Sequence, residues 1–460
     1  MALFSTFLAT LVGVSLAAAP LPHPRLILTD ARLADVASFI ANNSQAAAYF
    51  ARLQQQGDYV LTTAPLPRPP ENSTDILMAA RAVLTRVYVT ALLYRLTGNE
   101  SLGARGAAEL LSFTAWSDWG IVKHALDAGE LSHAAAIGID WLYPLLARNA
   151  TARAAIVGGV VRNSGEAFRA AYGANSWWTC DPSNWAQVTN SGAGLAALAI
   201  EGEAGVPPFY AGLLTNATRG VLCSAAGASE GSGDGYAPDG GWWEGPIYHG
   251  YALRYFIPFA TALETAKGDA TLLSLPALAL APRFQTAHMD GSFRYFDWAD
   301  SGMAQETLAM LLGVAGRAGD KASAFALRNR LDHAAIPLSA IDSGGQEAME
   351  FAHALIYFSP LGAAADLNHA PLDFAAPMKK VALMRTSWVD ANASFAGFKG
   401  CNCSWNHGDL DHVRRQAPRW RRANRALRLH LSRPKPATAT TTPPFVGRAR
   451  LSSPRAGSGG

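Results

Sequence analysis

"ILMAARAVLTRVYVTALLYRL", residues 76–96, sets apolar side chains on almost every face of a 3.6-residue period. A surface helix would keep one polar face, so this pattern predicts a helix buried on several sides. Thr97, Gly98 and Asn99 supply its stop. The texture returns in "LSHAAAIGIDWLYPLL" (131–146), "GAGLAALAIEGEAG" (192–205), "PPFYAGLLTNATRGVL" (207–222), "YALRYFIPFATALETAKG" (251–268) and "SGMAQETLAMLLGVAGRAG" (301–319). Successive helices joined by short turns from Ala31 to Ala335, without alternating strands, exclude a βαβ sheet. No residue-level repeat runs through them, which argues against a solenoid of tight consensus. Near residue 378 the texture changes to "KKVALMRTSWVD" and "ASFAGFKG", short alternating runs that predict β-structure.

A chain of 460 residues, half of them hydrophobic, has material for two or three domains. Residues 1–19 form an apolar run that ends in small residues and is stopped by Pro20, Pro22 and Pro24, although no Lys or Arg precedes it. This predicts a cleaved signal peptide, a secreted or endomembrane location and no stable membrane insertion. Seven N-x-S/T triplets, at Asn42, Asn72, Asn99, Asn149, Asn216, Asn392 and Asn402, fit a glycoprotein. In an oxidising compartment the four cysteines allow three pairings, of which Cys180 with Cys223 is expected. Cys401, Cys403, His407 and His412 offer zinc-ligand types, but their spacing matches no common finger.

The formal charge of +3 hides an asymmetry, because residues 413–460 hold eleven Arg, one Lys and no acid. Of 38 basic residues, 26 remain before that tail, against 35 acidic ones. A body with this acidic balance is not a nucleic-acid binder by bulk charge, and an anionic ligand needs a local patch. The tail has too few apolar residues for a core and is expected to be disordered.

Three stretches carry candidate chemistry. In "GWWEGPIYHGYALRYF" (241–256), Pro246 suits a first helical turn after a Gly-rich approach, which sets Tyr248 at a helix start. Tyr248, Tyr251, Ala252 and Tyr255 then share a face, and the helix dipole is expected to lower the Tyr248 pKa. Trp242, Trp243 and Glu244 precede it on a loop expected to lie outside the deep core. In "SWWTCDPSNWAQVTNSG" (176–192), Trp177, Trp178, Asn184, Trp185 and Asn190 lead into a helix. Such tryptophans either stack on sugar faces or anchor helices. In "CNCSWNHGDLDH" (401–412), His407, Asp409 and Asp411 would face one way on a strand, while Gly408 favours a polar turn.

Taken in order, "HPRLILT" (23–29), "AIGIDWLY" (136–143), "NWAQVTNSGAGLAALAI" (184–200), "EGPIYHGYALRYF" (244–256), "MRTSW" (384–388) and "FKGCNCSWNHGDLD" (398–411) resemble the heparinase II/III-like polysaccharide lyases, alginate-lyase relatives included. The resemblance covers residues 23–412. It implies a mainly α fold, an incomplete α/α toroid over 20–375, followed by an antiparallel β-sandwich that starts at 376–412 and is largely missing. In the family the sequence after "NHGDLDH" runs on into strands. Here residues 413–460 have the composition that a shifted reading frame or retained intron would give.

The implied reaction is β-elimination on a uronic-acid-containing polysaccharide of alginate or glycosaminoglycan type, leaving a 4,5-unsaturated sugar. Such a site must neutralise the substrate carboxylate, take the C5 proton and protonate the departing O4. By resemblance Tyr248 transfers the proton, Asn190, or in second place Asn184, neutralises the carboxylate, and His407 acts from the β-region. Trp185, Asn184, Trp242, Trp243, Glu244 and Tyr251 are the expected substrate-binding residues. No cofactor is required; Asp409 stands where relatives have a second histidine, and it is the candidate for a structural zinc or calcium. Two other readings stand beside this one: a toroidal glycoside hydrolase using a pair from Glu244, Asp239, Asp297 and Asp300, and a non-catalytic carbohydrate-binding protein.

Overall fold

The structure is a computed structural model that describes residues 19–70, 72–73, 76–226, 236–237, 239–302, 308–400 and, as backbone, 412–416. Its helices of seven residues or more are α1 Asp30–Asn42, α2 Ser44–Thr62, α3 Leu77–Thr97, α4 Glu100–Thr114, α5 Ala125–Trp141, α6 Ala150–Val160, α7 Ala167–Gly173, α8 Asn184–Ile200, α9 Tyr210–Ala226, α10 Gly245–Lys267, α11 Pro276–Ala287, α12 Leu311–Ala318, α13 Lys321–Asp332 and α14 Glu350–Ile356. A small antiparallel sheet follows: β1 Asp373–Ala376, β2 Val381–Arg385, β3 Phe395–Lys399 and β4 His412–Gln416, in that order. The protein is mainly helical with a small antiparallel sheet.

The opening stretch forms α3, buried on every face between Ala82 and Tyr94. Gly98 ends it at φ +68°, a left-handed conformation that glycine adopts without a Cβ penalty, and its N–H bonds the Tyr94 carbonyl. By length and composition α3 could cross a membrane, but 78% of its most apolar window is buried inside the protein.

Four long helices, α3, α5, α8 and α10, pack side by side in that order, with α4 against α3 and α9 against α8 as return paths. Their contacts run start to start and end to end, so the four are parallel. At the starts, the Ile76 amide donates to Asp127 (2.7 Å), and Asn184 donates to Glu244 (2.9 Å). At the ends, Lys267 of α10 pairs with Glu201 just past α8 (2.6 Å). Gly129 and Gly192 let α5 and α8 approach closely: a Cβ on Gly192 would sit 2.0 Å from the Gly129 carbonyl oxygen.

The segment "HPRLILT" closes the C-terminal ends of this file. Arg25 donates to the carbonyls of Leu198 and Ala199 in the last turn of α8 and of Glu201 just past it, where a cation suits the negative end of the dipole. Asp140 accepts from the amides of Arg25 (3.0 Å) and Leu26 (2.8 Å), and the Trp141 indole donates to the Leu26 carbonyl.

The sheet buries Val381, Leu383 and Arg385 of β2 and Phe395 and Lys399 of β3, leaving Met384 and Phe398 on the outer face. Arg385 joins it to the helices by donating to the carbonyls of Met289 (2.6 Å) and Ala287. β4 pairs with β3 from His412 to Gln416, four residues beyond the boundary set from sequence, so the run 413–416 is a strand and not unstructured tail. Its backbone finds hydrogen-bond partners in β3 whatever its side chains. The expectation for 417–460 lies outside the described residues.

Candidate active site

The starts of the four parallel helices form a continuous rim. Asp127 links α3 to α5 and also holds His124 Nδ1 (2.6 Å) at the start of α5. The His124 ring meets Trp185 edge-on at the start of α8, with centroids 4.8 Å apart. Asn184, the first residue of α8, joins Glu244, the residue before α10. Each helix start presents N–H groups without intrahelical partners and the positive end of a dipole, which favours an anion; Asp127 and Glu244 already accept from the Ile76 and Asn184 amides, and Ser301 from the Ile247 amide.

Glu244 is fully buried and accepts three bonds: from the Asn184 amide (2.7 Å), Asn184 Nδ2 (2.9 Å) and Trp242 Nε1 (3.1 Å). Burial pushes its pKa up to about 8, against the downward pull of those donors. Trp242 and Trp243 are buried as well, contrary to the expectation for this loop. The loop tolerates burial because its indoles are paired: Trp242 with Glu244, and Trp243 with the Pro182 carbonyl (2.6 Å).

Pro246 stands in the first turn of α10, as expected, and Tyr248 follows, half-buried, with its hydroxyl donating to Asp300 (2.9 Å). The expected lowering of its pKa is overturned. Burial, then the hydrogen bond to Asp300 and the charge of that carboxylate, raise it instead, so Tyr248 rests as a neutral phenol. One turn on, Tyr251 is buried and donates to Glu130 of α5 (2.6 Å). Arg81 of α3 donates from Nε to the same oxygen (3.1 Å) and lies over the Tyr251 ring, 4.9 Å from its centroid.

The tryptophans of 176–192 divide between both readings. Trp178 is buried against Phe168 and Tyr172, an anchor between helices. Trp177 is 60% exposed and lies beside half-buried Trp185, with centroids 5.1 Å apart, an open aromatic surface next to His124. The expected disulfide Cys180–Cys223 is present and ties this segment to α9.

Among the described residues Asn190 makes no hydrogen bond to Glu244, Tyr248 or Arg81 and instead donates to the Thr179 carbonyl (3.4 Å). It is fully buried, accepts from the Tyr172 hydroxyl (2.7 Å) and donates to the Ala186 carbonyl (2.7 Å), with Gly220 of α9 closely facing its amide. Asn184, not Asn190, is the asparagine joined to Glu244. His407 and Asp409 lie outside the described residues. Among the described residues, no group of three or more His, Cys, Asp or Glu side chains is placed to hold a metal.

Sequence reasoning missed Arg81, Glu130 and His124 as site residues and assigned Asp300 no role with Tyr248. Arg81 is the first polar side chain of α3, following an apolar first turn, a signal that was there to be read. Neither a protein-family model nor a curated protein matches this sequence.

Proposed function

We propose that this rim is the active site of a polysaccharide lyase that cleaves a uronic-acid-containing chain by β-elimination, on an incomplete α/α toroid. The carrying observation is the convergence of four parallel helix starts on one place holding a phenol–carboxylate pair, a buried carboxyl and a cation, beside an aromatic surface. Trp177 and Trp185 suit a sugar face. The helix starts suit its carboxylate, whose neutralisation makes the C5 proton removable. Tyr248, a neutral phenol hydrogen-bonded to Asp300, suits protonation of the departing O4, while the Asp300 carboxylate suits acceptance of the C5 proton and its return to the phenolate through the bond they share. Asn184 replaces Asn190 as the amide candidate, because it starts α8 on this rim. In the resemblance, His407 supplies the group that reaches in from the β-region.

Elimination creates a C=C bond conjugated to the carboxylate, which absorbs in the ultraviolet. Incubation with alginate, heparosan and chondroitin should raise that absorbance with one of them, and Tyr248→Phe should abolish the rise while the far-ultraviolet circular dichroism is unchanged. Wild-type turnover in Tyr248→Phe would remove the assignment.

One observation favours a hydrolase as a second reading: a buried Glu244 with pKa near 8 has the character of a general acid, and Asp300 is a carboxylate of the same site. Reducing ends released without ultraviolet absorbance would select it.

A further inference from the structure

We infer that Arg81 is the cation that receives the substrate's carboxylate, pre-set for it by Glu130 and Tyr251; the inference rests on the uronan reading above. Two arginines on α3 make the argument by contrast. Arg86 is fully used: Nε and Nη2 donate to Asp342, and Nη1 to Glu109 and the Ala64 carbonyl, with 2% of the side chain exposed. It locks helices together. Arg81, five residues earlier, spends only Nε on a carboxylate, and 18% of its side chain reaches solvent although Glu130 is wholly buried. A guanidinium binds a carboxylate through a two-pronged fork, and among the described residues the terminal nitrogens have no carboxylate of their own.

Location and rigidity point the same way. Arg81 stacks on the ring of Tyr251, one helical turn from Tyr248. Its charge also reaches the Tyr248 phenol, whose pKa it works to lower against burial and Asp300. The Tyr251 hydroxyl and Arg81 Nε share one oxygen of Glu130, which fixes the plane of the guanidinium before any ligand arrives. If Arg81 served only to neutralise Glu130, the pair would add little net stability, since desolvating two charges offsets most of their attraction. A partly open, anchored cation is what stabilisation of negative charge developing at a uronate carboxylate requires.

The test is binding by calorimetry, in the Tyr248→Phe background so that no ligand is consumed. The probes are tetrasaccharides from alginate, heparosan and unsulfated chondroitin, each native and with its carboxyls reduced to alcohols. The parent should bind one native form more tightly than its reduced counterpart, and Arg81→Gln should weaken native binding by about 10- to 100-fold while leaving reduced-form binding unchanged. Arg81→Lys should restore part of the preference. Because Arg81→Gln strands the buried Glu130 charge, Arg81→Gln with Glu130→Gln serves as the second variant, with folding checked by circular dichroism, and should lose the same preference. A native-over-reduced preference that survives in the double variant would overturn the role of Arg81 and leave the uronan reading standing. A parent that binds no native tetrasaccharide, or both forms equally, would overturn the uronan reading and this inference with it.

Discussion

The two ends of the same four helices are built on opposite principles. At the C-terminal ends the charged groups meet several partners each: the terminal nitrogens of Arg25 donate to four carbonyls, and Asp140 accepts from two amides and from His23 Nδ1 (2.6 Å), leaving Arg25 Nε and His23 Nε2 as the buried atoms of this group with no partner among the described residues. At the N-terminal ends a carboxyl is buried without a cation among its hydrogen-bond partners, a phenol leans on an aspartate, and an arginine is only partly used. Paired buried groups hold a structure; strained and incompletely matched ones mark where a ligand completes the set. One end is a seal, and the other is the site we propose.

The largest effect should come from breaking the seal. Asp140→Ala leaves two buried amides and His23 without their acceptor, and should cost about 3–5 kcal/mol of stability in denaturant unfolding. A loss under about 1 kcal/mol would mean that the ends do not differ in the way described.

The next effect belongs to the site end and depends on pH. Folded Glu244 holds its proton up to about pH 8, whereas an unfolded glutamate releases it near pH ~4.3. Its stabilising contribution is therefore complete below ~4.3 and falls away as pH rises to about 8. Glu244→Gln does not titrate, so relative to wild type it should gain stability, on the order of a few kcal/mol, between acid and mildly alkaline pH. Parallel stability–pH curves for the two proteins would refute the raised pKa.

The smallest effect sharpens the contrast. Trp177→Ala removes an exposed ring, so stability should change by less than about 0.5 kcal/mol. Oligosaccharide affinity should fall about threefold to tenfold. Unchanged affinity would remove the aromatic surface from the site.

The helices were legible wherever one segment determines its own state. An apolar pattern on every face marked α3, Pro246 marked the start of α10, and the expected cysteines form the disulfide. The change to strands near residue 378 was legible too, although 413–416 still pair despite their basic composition, because a strand needs only a neighbour's backbone. What pairs across helices was not legible. The parallel file of α3, α5, α8 and α10 depends on close approach at Gly129 and Gly192, which only the packed structure brings opposite each other. The same limit explains Tyr248, whose pKa is set by burial and by Asp300, 52 residues away in sequence, and not by its own helix. It also explains why the direction of Asn190 was not legible: it turns toward Tyr172 and α9.

The most direct test of the site is the ultraviolet absorbance of a uronan digest run with three proteins in parallel: wild type, Tyr248→Phe and Asn190→Ala. The account predicts rising absorbance with wild type and a rate at least about 100-fold lower in Tyr248→Phe at unchanged melting temperature. Asn190→Ala should lose stability, with specific activity of the folded fraction kept within about threefold. No absorbance from wild type on alginate, heparosan or chondroitin, or full activity in Tyr248→Phe, would contradict it.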